Sequence, residues 1–122
     1  MIVEKGADDE VLVLQRFGIQ INIAGLIDHI NRNSSVFQIK ECDTGVLLSI
    51  NRTDGINSKT LKQMSEIRLE QPVLVTVIDE YEWLIDGNHR LLKRHELGKQ
   101  STNYIPINGG QLDPFVSEFS WR

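Results

Sequence analysis

The sequence predicts a compact α+β domain, and three observations carry that expectation. Val73-Leu74-Val75-Thr76-Val77-Ile78 is a mostly β-branched run of strand length, apolar throughout except for Thr76. Ile23, Leu26, Ile27 and Ile30 fall at i, i+3, i+4 and i+7, which lines four aliphatic side chains along one face of a helix. Strand-like and helix-like segments follow one another without a regular βαβ alternation, so a small mixed sheet flanked by helices is expected rather than a doubly wound fold. A chain of 122 residues suits a single domain over its whole length, 1–122.

In chain order, Val11-Leu12-Val13-Leu14 reads as a strand bounded by Gly18, and the helix carrying the aliphatic stripe is closed by Asn33-Ser34-Ser35. Residues 1–35 are thus a strand–helix extension. Val36-Phe37-Gln38-Ile39 and Val46-Leu47-Leu48-Ser49-Ile50 read as strand or extended segments around a turn at Asp43-Thr44-Gly45. Residues 51–57, rich in Asn, Asp and Gly, form a loop. Asn57 or Ser58 caps a helix continued by Leu61, Met64, Ile67 and Arg68, and Pro72 ends that region. The run 73–78 is expected to be buried on both faces. A polar turn at 79–82 leads to a short strand, Trp83-Leu84-Ile85, which Asp86-Gly87-Asn88 breaks. Residues 90–97 form a helix with Gly98 placed to end it, and Tyr104-Ile105-Pro106-Ile107 is a further strand. Phe115, Phe119 and Trp121 make residues 109–122 a tail that docks.

Composition narrows the function classes. Lys plus Arg number 13 and Asp plus Glu 17, for a net charge of −4, which counts against sequence-blind nucleic-acid binding over the whole surface. The single cysteine, Cys42, forms no internal disulfide. No apolar run approaches the ~18 residues of a membrane span, and residues 1–6 lack the basic-then-apolar order of a signal peptide. A cytoplasmic protein without membrane contact is the expectation.

The chemistry concentrates in Trp83-Leu84-Ile85-Asp86-Gly87-Asn88-His89-Arg90-Leu91-Leu92. A strand stops, a glycine permits a sharp turn, and a helix begins. The first turn of a helix exposes backbone N–H groups without intrahelical partners, and the helix dipole adds positive charge there. Gly87 lets an anion approach the backbone, and Arg90 offers a bidentate donor. The plain alternative is a turn in which Asp86 or Asn88 caps the helix and Arg90 pairs with a nearby carboxylate.

The order Pro72, buried strand, polar turn, short strand, Asp86-Gly87-Asn88-His89-Arg90, amphipathic helix, Leu97-Gly98, then Ile105-Pro106-Ile107 resembles the ParB/sulfiredoxin-like superfamily over residues 45–108. The resemblance is close after Leu69 and looser before it. It implies a ParB/sulfiredoxin-like fold with a nucleotide or phosphate pocket at the helix start, and ATP, ADP or CTP as the ligand. By the same resemblance Asp86, Gly87, Asn88, His89 and Arg90 form the phosphate-binding turn, Asn51 and Arg52 close over the nucleotide, and Glu41 is the candidate base. Asn88 stands where the sulfinic-acid reductases of the family carry their reacting cysteine. An amide is no sulfur nucleophile, so that activity is not expected.

His89 reads as a phosphate contact or general acid/base, or as a histidine bonding its own turn. Glu41 and Asp43 read first as solvated turn carboxylates, and residues 51, 52 and 54 equally as a lid or a solvated loop. His29, His95, Trp83 and Trp121 read as packing residues, and Lys93-Arg94-His95 as charge complementing a helix C-terminus. The expected function is a nucleotide-dependent phosphotransferase or nucleotide hydrolase, with Mg²⁺ if phosphate is transferred. The alternatives are a non-catalytic plasmid- or phage-associated regulatory module that binds a nucleotide, a protein partner or a second copy, and a DNA-binding or nuclease domain. The acidic charge disfavours DNA. Too few residues follow Ile107 for the helix-turn-helix reader of the partition proteins.

Overall fold

A computed structural model describes residues 2–5, 10–50 and 66–118. Among them are seven strands and five α-helices, arranged as two sheets rather than the one expected. β1 (Val11–Leu14) and β2 (Ile19–Asn22) form an antiparallel hairpin, and β7 (Val116–Glu118) adds to the other edge of β2. The four-stranded sheet runs β3 (Lys40–Asp43), β6 (Ser101–Ile107), β4 (Val73–Ile78), β5 (Tyr81–Asp86). In it β4 and β6 are parallel and the other neighbours antiparallel, so this sheet is mixed as expected.

α1 (Ile23–Arg32) is the helix its periodicity predicts. Ile23, Leu26, Ile27 and Ile30 are all buried, and Asn22 caps the start by accepting from the Gly25 N–H at 2.9 Å. Each fully buried aliphatic side chain of this kind contributes about 1.5–3 kcal/mol. The described residues of this N-terminal part are no appendage. Ile21, Ile23, Leu26, Ile27 and Ile30 share one core with Leu74, Trp83, Ile85, Ile105 and Ile107 of the four-stranded sheet. Phe17 closes it with an edge-on contact to Trp83, ring centroids 5.5 Å apart.

The other face of that sheet carries a second, smaller core of Leu47, Val73, Val75, Leu84 and Leu91. β4 therefore divides its side chains between two cores, Leu74 into the first and Val73 and Val75 into the second. That division accounts for the apolar residues 73–75, whereas Val77 is exposed, so the expected burial on both faces holds only over the first part of the strand. The Asp79–Glu80 turn between β4 and β5 holds φ of 52° and 71°, the left-handed pair that matches the twist of a two-residue hairpin.

Two expected strands are absent. Residues 46–50 lie largely within a helix, α2 (Thr44–Ser49). Asp43 caps it, its Oδ1 accepting from Gly45 N at 2.8 Å and Val46 N at 3.3 Å. Leu47 is buried while Val46 is 54% exposed, so the short run buries one helical face. Residues 36–39 form no paired strand either, although Phe37 has extended backbone. A 3₁₀ turn occupies Ser34–Val36, and the strand falls instead on Lys40–Asp43, where a polar edge strand gives no hydrophobic signal.

The expected helix over 57–68 lies mostly outside the described residues, which show a helix, α3, at Glu66–Leu69. α4 (Asn88–Glu96) and the short α5 (Gly109–Leu112) complete the fold. The tail docks as far as it is described. Phe115 packs on the first core and β7 pairs with β2, while Phe119 and Trp121 lie outside the described residues.

Candidate functional site

β5 delivers Asp86 to the edge of the mixed sheet. Leu84 pairs with Val75 but Asp86 pairs with Leu74, so Ile85 is an extra residue that bends β5 just before the turn. Gly87 then adopts φ +97° as the N-cap of α4. A Cβ there would lie 2.5 Å from Val73 Cγ1 and 2.9 Å from Arg90 Nη2. Both the backbone angle and the packing demand glycine, before any ligand is considered. A glycine offers no side chain to cap the helix, so the start of α4 has no capping side-chain bond at this position.

Arg90 is 2% exposed. Its Nη2 donates to Pro72 O at 3.0 Å and to Asp86 Oδ2 at 3.1 Å, tying the helix start to the strand on either side of it. Sequence reasoning gives Arg90 two parts, phosphate ligand or partner of a nearby carboxylate. In this structure it is bonded to the carboxylate. Its Nε has no hydrogen-bond partner among the described residues. Asn88 and His89 stand half-buried in the first turn of α4.

A cleft of about 210 Å³ opens beside the turn, with Glu10, Leu12 and Ile23 on one side and Ile85, Asp86, Gly87, Asn88 and His89 on the other. It lies where β1 and α1 meet the edge of the mixed sheet. Glu10, the residue before β1, is the group that sequence reasoning missed. Burial pushes its carboxyl above the ordinary 4.5, and the charge of Asp86 pushes it further, against the pull of Arg68 and Arg90. No local pattern joins Glu10 to a turn 76 residues later. Only the docking of β1 beside β5 brings them together.

Glu41 is not brought to the turn. It sits exposed on β3, paired with Asn103, and two strands separate β3 from β5. Three strand spacings put roughly 14 Å between Glu41 and the 86–90 turn. Asn51 and Arg52 lie outside the described residues. A larger depression of about 550 Å³, beside Val36, Val77, Pro106 and Gln111, has no titratable group in its lining.

The arrangement can hold a small polar group against a helix start with a carboxylate beside it. Among the described residues no three His, Cys, Asp or Glu side chains gather into a metal site. Glu10 and Asp86 together supply carboxylate oxygens that fit Mg²⁺ only with further ligands, such as phosphate oxygens. Comparison with family models, curated proteins and solved structures found no significant match to this chain.

Proposed function

We propose that the cleft between β1 and the 86–90 turn binds the phosphate of a nucleotide, ATP, ADP or CTP, and that Glu10 acts as the base in phosphotransfer or hydrolysis. The observation that carries this reading is a half-buried carboxyl, Glu10, with its proton affinity raised, facing a glycine-capped helix start within one cleft. A desolvated carboxyl in a cleft is suited to proton transfer at working pH. The helix start suits an anion through its backbone N–H groups and dipole. The resemblance of residues 45–108 to the ParB/sulfiredoxin-like superfamily supports placing phosphate at Gly87, Asn88 and His89, whereas Arg90, which it implies as a phosphate ligand, is bonded to Asp86.

A volume of about 210 Å³ is below the ~300–1,000 Å³ of pockets that enclose a small ligand. The cleft therefore takes the phosphate, and the sugar and base lie outside it. Two carboxylates beside an anion call for a cation. Mg²⁺ carried in on the phosphates would be held by Asp86 and phosphate oxygens, leaving Glu10 uncoordinated to take a proton, and would neutralise charge on the transferring group. Glu10 accepts the proton of the attacking hydroxyl or water, His89 bonds a phosphate oxygen, and Arg90 holds Asp86 in place.

Isothermal titration with ATP, ADP and CTP, with and without Mg²⁺, tests the binding. Phosphorus NMR with amino acids and nucleosides as acceptors tests turnover. The expected result is binding that requires Mg²⁺ and weakens in His89→Ala. Glu10→Gln is expected to bind while losing ~10²–10⁴-fold in rate, the usual cost of removing a general base. Binding without consumption under any acceptor would assign the protein to the non-catalytic nucleotide modules. Failure of all three nucleotides to bind overturns the reading.

A further inference from the structure

Residues 2–5 lie on the domain as a bound peptide lies on a receptor. They belong to neither sheet, and side chains rather than a neighbouring strand hold their backbone. Asn31 of α1 accepts from Ile2 N at 2.8 Å and Val3 N at 3.1 Å through Oδ1, and donates from Nδ2 to Val3 O at 2.8 Å. Gln71 Oε1, in the connection before β4, accepts from Glu4 N at 2.6 Å. Val3 is the anchor, fully buried in the first core. Two ion pairs set the direction of the segment, Lys5 Nζ to Asp28 at 3.1 Å and Arg68 Nη1 to Glu4 at 4.0 Å.

A side-chain amide that accepts from and donates to the same residue does what an added strand does at a sheet edge. It reads backbone, and so accepts any extended segment whose side chains suit the socket and the two charges. None of these contacts depends on the segment being continuous with the receptor.

We propose that the groove formed by Asp28, Asn31, Arg68 and Gln71 is a peptide-binding site for an extended segment with a β-branched anchor followed by an acidic and a basic residue. Its occupant in cis is residues 2–5, and its occupant in trans is the same segment of a second copy of this chain, which fits by construction. Only residues 6–9 connect the segment to Glu10. A tether so short sets an effective concentration on the order of mM, so the cis form prevails in dilute solution. Exchange between copies follows when the segment is released.

The test uses the full chain with Val3→Asp, whose own segment no longer fills the socket, and a synthetic acetyl-Ile-Val-Glu-Lys-amide carrying a fluorophore on an N-terminal spacer. Saturable binding is expected to Val3→Asp, at least tenfold weaker to the wild type because the tethered segment competes. Binding should weaken at least tenfold again when Asn31→Ala is added to Val3→Asp. A Val3→Asp protein with the wild-type circular dichroism and no saturable binding up to mM peptide overturns the proposal. Should Val3→Asp not fold, hydrogen exchange on the wild type decides. The amides of Val3 and Glu4 are expected to exchange at least 100-fold faster than those of Ile27 and Ile30, because the segment opens by itself. Equal rates would make the segment an inseparable part of the core and end the proposal.

Discussion

At its C-terminal end α4 has its last carbonyls and its buried arginine bonded, whereas at its N-terminal end the bonding is incomplete beside a cleft. Beyond Glu96 the chain turns through Gly98 at φ +76°, with Gly98 N donating to His95 O at 3.0 Å and Lys99 N to Arg94 O at 2.9 Å. These paired bonds satisfy the last carbonyls of the helix. Arg94 anchors this end. Its Nε donates to Thr102 Oγ1 at 3.0 Å, Nη1 reaches Leu69 O and Glu70, and Nη2 donates to Ser101 O. Thr102 in turn shares a hydrogen bond with Thr44 at 2.7 Å, so one buried network joins α2, α3, α4 and β6. At the other end Gly87 gives no cap, Arg90 divides Nη2 between Pro72 O and Asp86, and its Nε has no partner among the described residues. The two buried arginines, one turn apart, show the difference between polar groups arranged to lock a fold and polar groups left incompletely satisfied beside a cleft. Incomplete satisfaction costs stability, and such a cost is commonly found at functional sites.

The largest expected effect comes from breaking the fully bonded end. Arg94→Ala removes the donor to Ser101 O, Leu69 O and Thr102 Oγ1 together. A buried acceptor left without its donor costs about 1–3 kcal/mol, so the loss should be about 4 kcal/mol, measured by urea unfolding. Gly87→Ala should cost about 3 kcal/mol by the same measurement. It combines a left-handed backbone, about 1–2 kcal/mol, with a Cβ placed 2.5 Å from Val73 Cγ1. Gly98→Ala sharpens the comparison. It shares the positive φ, but nothing lies within 4 Å of the added Cβ, so about 1 kcal/mol is expected.

The smallest effect has the opposite sign. Burial and Asp86 raise the folded-state pKa of Glu10 above 4.5, so the folded protein holds a proton that the unfolded chain releases. The stability this contributes is complete below about pH 4.5 and lost as pH rises through the raised value. Glu10→Gln, neutral at every pH, should therefore melt higher than the wild type at pH 7.5 in EDTA. That advantage should vanish at pH 4. An equal advantage at both values would show that the Glu10 charge is not what burdens the fold.

Local chemistry made much of this legible in advance. The four aliphatic positions of α1, the two-faced burial of the first part of β4 and the glycine after α4 all follow from side-chain spacing and backbone freedom within a few residues. The 86–90 turn was legible for the same reason, since a strand end, an obligate glycine and a helix start adjoin in sequence. Residues 46–50 were not. A five-residue apolar run fits a strand or a helix equally, and the choice fell to the Asp43 cap and the second core beneath Leu47.

By itself the sequence determined the α+β class, the apolar faces and the position of the glycine-bearing turn, because each rests on interactions between residues close along the chain. Tertiary structure alone decided that there are two sheets, that the described residues of the N-terminal part help build the main core, that Arg90 bonds Asp86, and that Glu10 rather than Glu41 shares the cleft. Each of those depends on which distant segments pack together. The energy that selects such packing comes from area buried across the whole molecule, which no short window of sequence contains.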